Sequence, residues 1–337
     1  MSYLLKIDIA AHIQPIKYKE VICKLPSVSA YQRKRIESLP TIFDMEQRFR
    51  IMDKYEGLMQ VLTLNPPPSH EIANSKKAVD LSKLANDEMA ELVLKYPDRF
   101  ATAVASIPMN NIDAALEEID RAINSLQFKG IMIFTSVNGK PLDLPEFMPL
   151  FEKMARYNLP IFMHPRRPAD EYPDYKTEAK SLHRIHGIFG YPYETSVAMT
   201  RLVYCGIFEK YPGLKIITHH CGGMIPFFEQ RLLQFYGLHE LRRAGEFKER
   251  LPKPVLDYFK LFYNDTALYG AKPALMCGYE FFGADHMLFG TDMPHDGQLG
   301  DRSIRETINA VEKMEISDLE KQKIFEINAK KLFCLTV

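Results

Sequence analysis

Neither sign of charge is in excess in the 337-residue chain: Lys plus Arg and Asp plus Glu number 43 each, which leaves a formal net charge of zero. A chain built to grip nucleic acid carries a basic face, so a polyanionic partner is not expected. Cysteine is scarce. Cys23, Cys205, Cys221, Cys277 and Cys334 are scattered with no CxxC spacing, which reads as reduced thiols in a cytoplasm and not as a disulfide framework. No apolar run is long enough to cross a bilayer, and the first residues lead into a strand pattern without a basic and apolar leader. Repeats, low-complexity tracts and Pro- or Gly-rich linkers are missing too, which leaves one domain over 1–337 as the economical organisation. The expectation is a soluble, cytoplasmic protein that handles a small molecule and needs no membrane or nucleic acid.

What is present is an alternation of short β-branched runs with helical patterns. The stretch Lys6-Ile7-Asp8-Ile9-Ala10-Ala11-His12-Ile13 is strand-like, carries one histidine near its end and stops at Pro15. Strict alternation puts Asp8, Ala10 and His12 on one face. Further strands are expected over 59–64, 99–107, 130–135, 159–163, 215–218, 262–264 and 287–290. Helical patterns fall between them over 43–56, 81–96, 112–126, 147–155, 199–207 and 304–333. Residues 14–40 read as a polar, proline-punctuated stretch, and Asp143 as the cap of the helix after it. Eight strands, each followed by a helix or by an insertion and a helix, is the pattern of an α/β fold of the (β/α)8 TIM-barrel type, with inserted loops after strands one, five and six. His12, His164, His220 and Asp292 then come from the ends of strands one, five, six and eight, and such ends converge on one face of a barrel.

Four stretches in order resemble the amidohydrolase superfamily, with its metal-dependent hydrolase type of barrel. They are the strand-one pattern, Met163-His164-Pro165, the run His220-Cys221-Gly222-Gly223-Met224-Ile225-Pro226, and Phe289-Gly290-Thr291-Asp292-Met293-Pro294. The branch of aminocarboxymuconate semialdehyde decarboxylase and the resorcylate-type decarboxylases is most similar, and Asn328-Ala329 to Leu332-Phe333 fits it as well. The resemblance covers nearly the whole chain. It implies one divalent metal ion, zinc first and manganese second, with His12 and His164 as ligands. It also implies Asp292 as a ligand that handles protons, His220 as a catalytic histidine, and a homodimer. Imidazole and carboxylate suit either metal, and two histidines with one carboxylate leave coordination positions open.

Two departures qualify this picture. Where the family pattern has His-x-His or Glu-x-His, this chain has Ala10-Ala11-His12, and alanine offers no donor atom. The run 131–135 also lacks a lysine that could bridge two metals once carboxylated, since Lys129 precedes it, so a one-metal site is expected and lyase chemistry is favoured. The first reading is a metal-dependent decarboxylase, a carbon–carbon lyase, acting on a small aromatic or unsaturated carboxylic acid, with His220 or Asp292 managing the proton. Hydrolysis of a small ester, lactone or amide is the alternative. A metal-poor, non-catalytic ligand-binding barrel is the second alternative and rests on Ala10. In the loop after His164, Arg166 and Arg167 suit a second carboxylate of the substrate or stand as solvent-facing charges. His183 and His186 are offered as substrate contacts too, and with Tyr191 and Tyr193 they suit a lid over a planar substrate or, equally, dimer contacts. Glu194-Thr195 reads as structural support, and Cys221 as a packed thiol.

Overall fold

The computed structural model describes residues 5–242 and 250–337. The barrel strands are Lys6–Ile13, Leu58–Leu64, Phe100–Ala103 continued by Ala105–Ser106, Ile131–Phe134, Ile161–His164, Ile216–Thr218, Tyr263–Asp265 and Met287–Leu288. All their pairings are parallel. Closure is made by the first strand against the segment that follows the last. Ile9 donates its N–H to the Phe289 carbonyl and His12 to the Met293 carbonyl, both at 2.9 Å. The chain therefore forms the (β/α)8 barrel that the strand and helix rhythm predicts. Helices cover it with apolar stripes: Leu81, Ala85 and Met89 of Ser75–Lys95, and Leu150, Phe151 and Met154 of Met148–Tyr157, are buried.

Several local expectations change. The stretch 14–40 holds two short helices, Ile16–Ile22 and Ala30–Glu37, the second started by a capping box between Ser29 and Gln32. The third strand breaks at Val104, which still bonds to Leu62 of strand two, whereas Ala105 bonds to Gly130 ahead of strand four. That change of partner is one way a closed sheet staggers its strands. Asp143 caps no helix; its carboxylate holds Arg201 at 2.8 and 2.9 Å, and the helix is entered through Pro145–Phe147. The helix expected from 199 begins earlier, at Tyr191. The insertions after strands one, five and six are present, and 243–249 of the third lie outside the described residues.

The first strand itself is not regular. Asp8 pairs with Gln60 but Ala11 with Leu62, so one extra residue sits in strand one between them. Such a bulge interrupts alternation, and the single face expected for Asp8, Ala10 and His12 does not run through it. The Asp8 carboxylate takes up the Ala10 N–H at 3.1 Å, which satisfies a donor that the bulge turns away from the ladder.

Above strand two the short helix Ser69–Ile72 buries His70 against Phe134, and neither ring nitrogen has a hydrogen-bond partner. Burial, with the Arg166 charge nearby, lowers this imidazole from 6.5 to about 4. The unfolded chain takes up a proton on this ring below about pH 6.5, and the folded chain only near pH 4. Stability held by the neutral ring is therefore complete above that window and lost as the pH falls through it. We expect wild-type protein to lose about 3 kcal/mol more than His70→Phe between pH 7 and pH 4, from about 1.4 kcal/mol per pH unit. Urea unfolding at both pH values measures the difference; equal losses would remove His70 from the acid response.

Candidate active site

The carboxylate at the centre of the site is Asp292, four residues past the last strand and held at a left-handed φ of 59°. A non-glycine residue in that region costs about 1–3 kcal/mol and persists only where its surroundings demand it. Those surroundings are specific. His12 Nε2 donates to Asp292 Oδ1 at 3.1 Å, the Tyr269 hydroxyl donates to Oδ2 at 2.5 Å, and His220 Nε2 lies 3.8 Å from Oδ2. Burial alone would raise the Asp292 carboxyl, yet the hydrogen bond from His12 and the nearby His220 imidazole outweigh it and hold the group well below the usual carboxylate range. Burial likewise would lower His220, and the facing Asp292 and Asp265 carboxylates reverse that, raising it.

His12 is fully buried, and its Nδ1 lies 3.0 Å from the hydroxyl of Thr63, its register partner on strand two. A hydroxyl can donate or accept, so Thr63 serves either tautomer of His12. From behind, Arg48 fixes this end of strand one, donating to the His12 carbonyl at 2.8 Å and to Gln60 Oε1 at 2.8 Å. His164 ends strand five, its ring centroid 5.2 Å from that of His12. Its Nδ1 lies 2.7 Å from the Pro165 carbonyl, which can only accept. The proton is therefore on Nδ1, and Nε2 keeps its lone pair, the arrangement a metal-ligating imidazole needs.

His164, His220 and Asp292 form one end of a cavity of about 560 Å³, with Arg166, His186 and Tyr191 among its walls. Arg166 is already neutralised, since its guanidinium clasps the Glu71 carboxylate. Arg167 does not line the cavity: it donates to Glu194 at 2.5 Å and lies over Tyr172 and Tyr193. His183 is exposed and outside the lining, and His186 is within it. Of the four residues offered for substrate contact, the structure thus brings Arg166 and His186 to the cavity and leaves Arg167 and His183 away from it. Cys221 is packed, its thiol pushed up by burial.

Residues without an expected role also converge here. His219 lies under the site, 4.6 Å ring to ring from His164, with Nδ1 3.0 Å from Asp265 Oδ2 but poorly aligned for a hydrogen bond. His295, on the loop after strand eight, lies with His12 and Asp292 in a group whose ligand atoms are all within 4.8 Å of one another. The signal for His295 was its place three residues past Asp292; Tyr269, four past the end of strand seven, had none.

Parallel strands deliver imidazoles and a carboxylate to one mouth of a (β/α)8 barrel, the donor set and the place that suit a barrel enzyme with a divalent metal ion. The family model described as amidohydrolase, Amidohydro_2, matches residues 7–335, and the chain belongs to that family. It is 30% identical over 302 residues to a gamma-resorcylate decarboxylase from Polaromonas, covering 86% of this chain and 87% of that one. It is 28% identical to the 2-amino-3-carboxymuconate-6-semialdehyde decarboxylase of Dictyostelium discoideum, covering 85% and 76%. Among solved structures, 5-carboxyvanillate decarboxylase from Novosphingobium aromaticivorans, complexed with manganese and 4-hydroxy-3-methoxy-5-nitrobenzoic acid, superposes with a TM-score of 0.81 at 25% identity, covering 98% and 96%. The chain is an enzyme, a decarboxylase of the amidohydrolase superfamily, and it works with a divalent metal ion. Of the three functions the sequence left open, the relatives carry the first.

Gly290, between strand eight and Asp292, shows how closely these walls pack. A Cβ there would lie 2.8 Å from that of Asp265 and 3.1 Å from that of Ala10. Gly290→Ala should cost about 1–3 kcal/mol through overpacking, read as a lower urea midpoint; an unchanged midpoint would mean that strands one, seven and eight have slack.

Proposed function

We propose that this enzyme removes the carboxylate of a small aromatic or unsaturated acid, with one divalent ion held by His12, His164 and Asp292 and the proton managed by His220. The observation that carries this reading is the meeting of His12 and His220 on the Asp292 carboxylate, at a cavity lined by His220, Asp292 and His164. The donor set fits zinc or manganese. His164 presents an Nε2 lone pair, Thr63 can accept the Nδ1 proton of His12 when its Nε2 is needed as a ligand, and Asp292 is anionic. Such an ion, when bound, would supply a positive charge that holds and polarises the anionic substrate.

The chain's own residues do the rest. His220 faces the cavity beside Asp292, which favours its protonated form, and its Nδ1 is buried without a partner. It donates the proton to the carbon bearing the carboxylate, with the π electrons of the ring or double bond forming the new C–H bond. The bond to the carboxylate then breaks, its electron pair restores the unsaturation, and carbon dioxide leaves. Tyr269 fixes Asp292 so that its charge stays next to His220. The imidazole of His186 and the phenol ring of Tyr191 among the walls suit a planar acid.

Purified metal-loaded protein should release carbon dioxide from dihydroxybenzoates or related acids while leaving esters, lactones and amides intact; hydrolysis with no carbon dioxide would refute the proposal. His220→Asn should lower the rate by about 10²–10⁴-fold, the usual share of a general acid, with metal content unchanged.

A homodimer is part of the same reading. Helix Glu229–Arg242 buries none of its residues, and Phe227, Phe235 and Leu241 are 79%, 54% and 82% exposed. Large apolar side chains exposed together on one helix and its approach suit an interaction face. Light scattering behind a sizing column should give twice the chain mass, and Phe235→Asp should shift it toward one copy. A wild-type monomer would reject the dimer. A cytoplasmic setting, in keeping with the free cysteines, completes the proposal.

A further inference from the structure

Strand one cannot supply the donor that its pattern leads one to expect, because Ala10 carries only a methyl group, buried beside Gly290 and Asp265. We propose that His295 is the metal ligand that replaces it, reaching the ion from the loop after strand eight. This rests on the metal-dependent reading above and extends its ligand set by one residue.

Three observations carry it. His295, His12 and Asp292 each offer an atom within 4.8 Å of the other two. Donors that share one ion at about 2.1 Å stand about 3.0–4.2 Å apart, according to whether they are adjacent or opposite, so shifts of at most about 1–2 Å draw the group around one ion. The second is the state of the His295 ring. Its Nε2 lies 2.9 Å from Asn65 Oδ1, and the Asn65 amide is oriented by its Nδ2, which donates to the Pro66 carbonyl and to Gln14 Oε1, both at 2.9 Å. A carbonyl cannot donate, so Asn65 presents its oxygen to His295. Nε2 therefore carries the proton and Nδ1 the lone pair. This is the support a ligating imidazole receives from a neighbouring group. Third, Asn65 is itself anchored, its N–H donating to the Ile13 carbonyl at 2.8 Å at the end of strand one. The loop histidine is thus held by the strand that lost its ligand.

The test uses chelator-stripped full-length protein titrated with Mn²⁺, with free Mn²⁺ read by electron paramagnetic resonance. Wild-type protein should bind at micromolar concentration or tighter, and His295→Ala should bind at least thirty-fold more weakly. X-ray absorption of the manganese-loaded wild type should fit three imidazoles, from His12, His164 and His295. Two imidazoles, or equal affinity in a folded His295→Ala, would overturn the role of His295 and leave a metal held by His12, His164 and Asp292. If His295→Ala does not fold, the wild-type imidazole count decides. Wild-type binding no tighter than millimolar would overturn the ligand assignments as a whole, His295 included.

Discussion

Closure of the barrel between its first and last strands is the contact on which the site depends. Asp8 makes it. This fully buried carboxylate accepts the Thr291 N–H at 3.0 Å, the Thr291 hydroxyl at 2.6 Å and the Ala10 N–H at 3.1 Å. Thr291 immediately precedes Asp292, so the bonds that satisfy Asp8 also set the distance at which Asp292 meets His12. Burial raises the Asp8 carboxyl in spite of these donors and of the Arg48 charge. Arg48, lowered to about 10 by the same burial, gives its hydrogen bonds to Gln60 and to the carbonyls of His12 and Thr41. An unpaired charge of either sign here would cost several kcal/mol. The two are retained together, and what they hold in common is the end of strand one.

The sequence was most legible where chemistry sits at strand ends. His12, His164, His220 and Asp292 each follow a β-branched or aromatic run, and parallel topology then requires them to share a face of the barrel. The bulge between Asp8 and Ala11 was not legible, because alternation is a property of one strand and a bulge is set by the register of its partner. The arginines after strand five show the same limit in another form. Arg166 and Arg167 are adjacent, yet one is claimed by Glu71, 95 positions away, and the other by Glu194. No local pattern ties an arginine to either acid, so the ion pair that keeps Arg166 at the cavity and the one that holds Arg167 away from it could not be foreseen. The helices Ile16–Ile22 and Ala30–Glu37 escaped because each spans about two turns, too short for a periodic stripe to stand out from the prolines around it.

Ala10 connects these points. A donor on a strand is positioned by the barrel itself, because the ladder on both sides fixes its backbone. A donor on a loop must be oriented by its own hydrogen bonds, and preorganisation then depends on a second layer of residues. The chain shows that layer at the point where the strand donor is missing: Asn65 is tied to Ile13, Pro66 and Gln14 before it meets His295. The methyl group at position 10 also lets the walls close, since Gly290 passes against Ala10 and Asp265 without room for another carbon. A Cβ at position 290 would meet those of Asp265 and Ala10 at 2.8 and 3.1 Å, two residues before Asp292. The loss of a donor on strand one and the tight seating of Asp292 are therefore two consequences of the same small residue. An imidazole restored at position 10 would have to displace the packing that places the carboxylate.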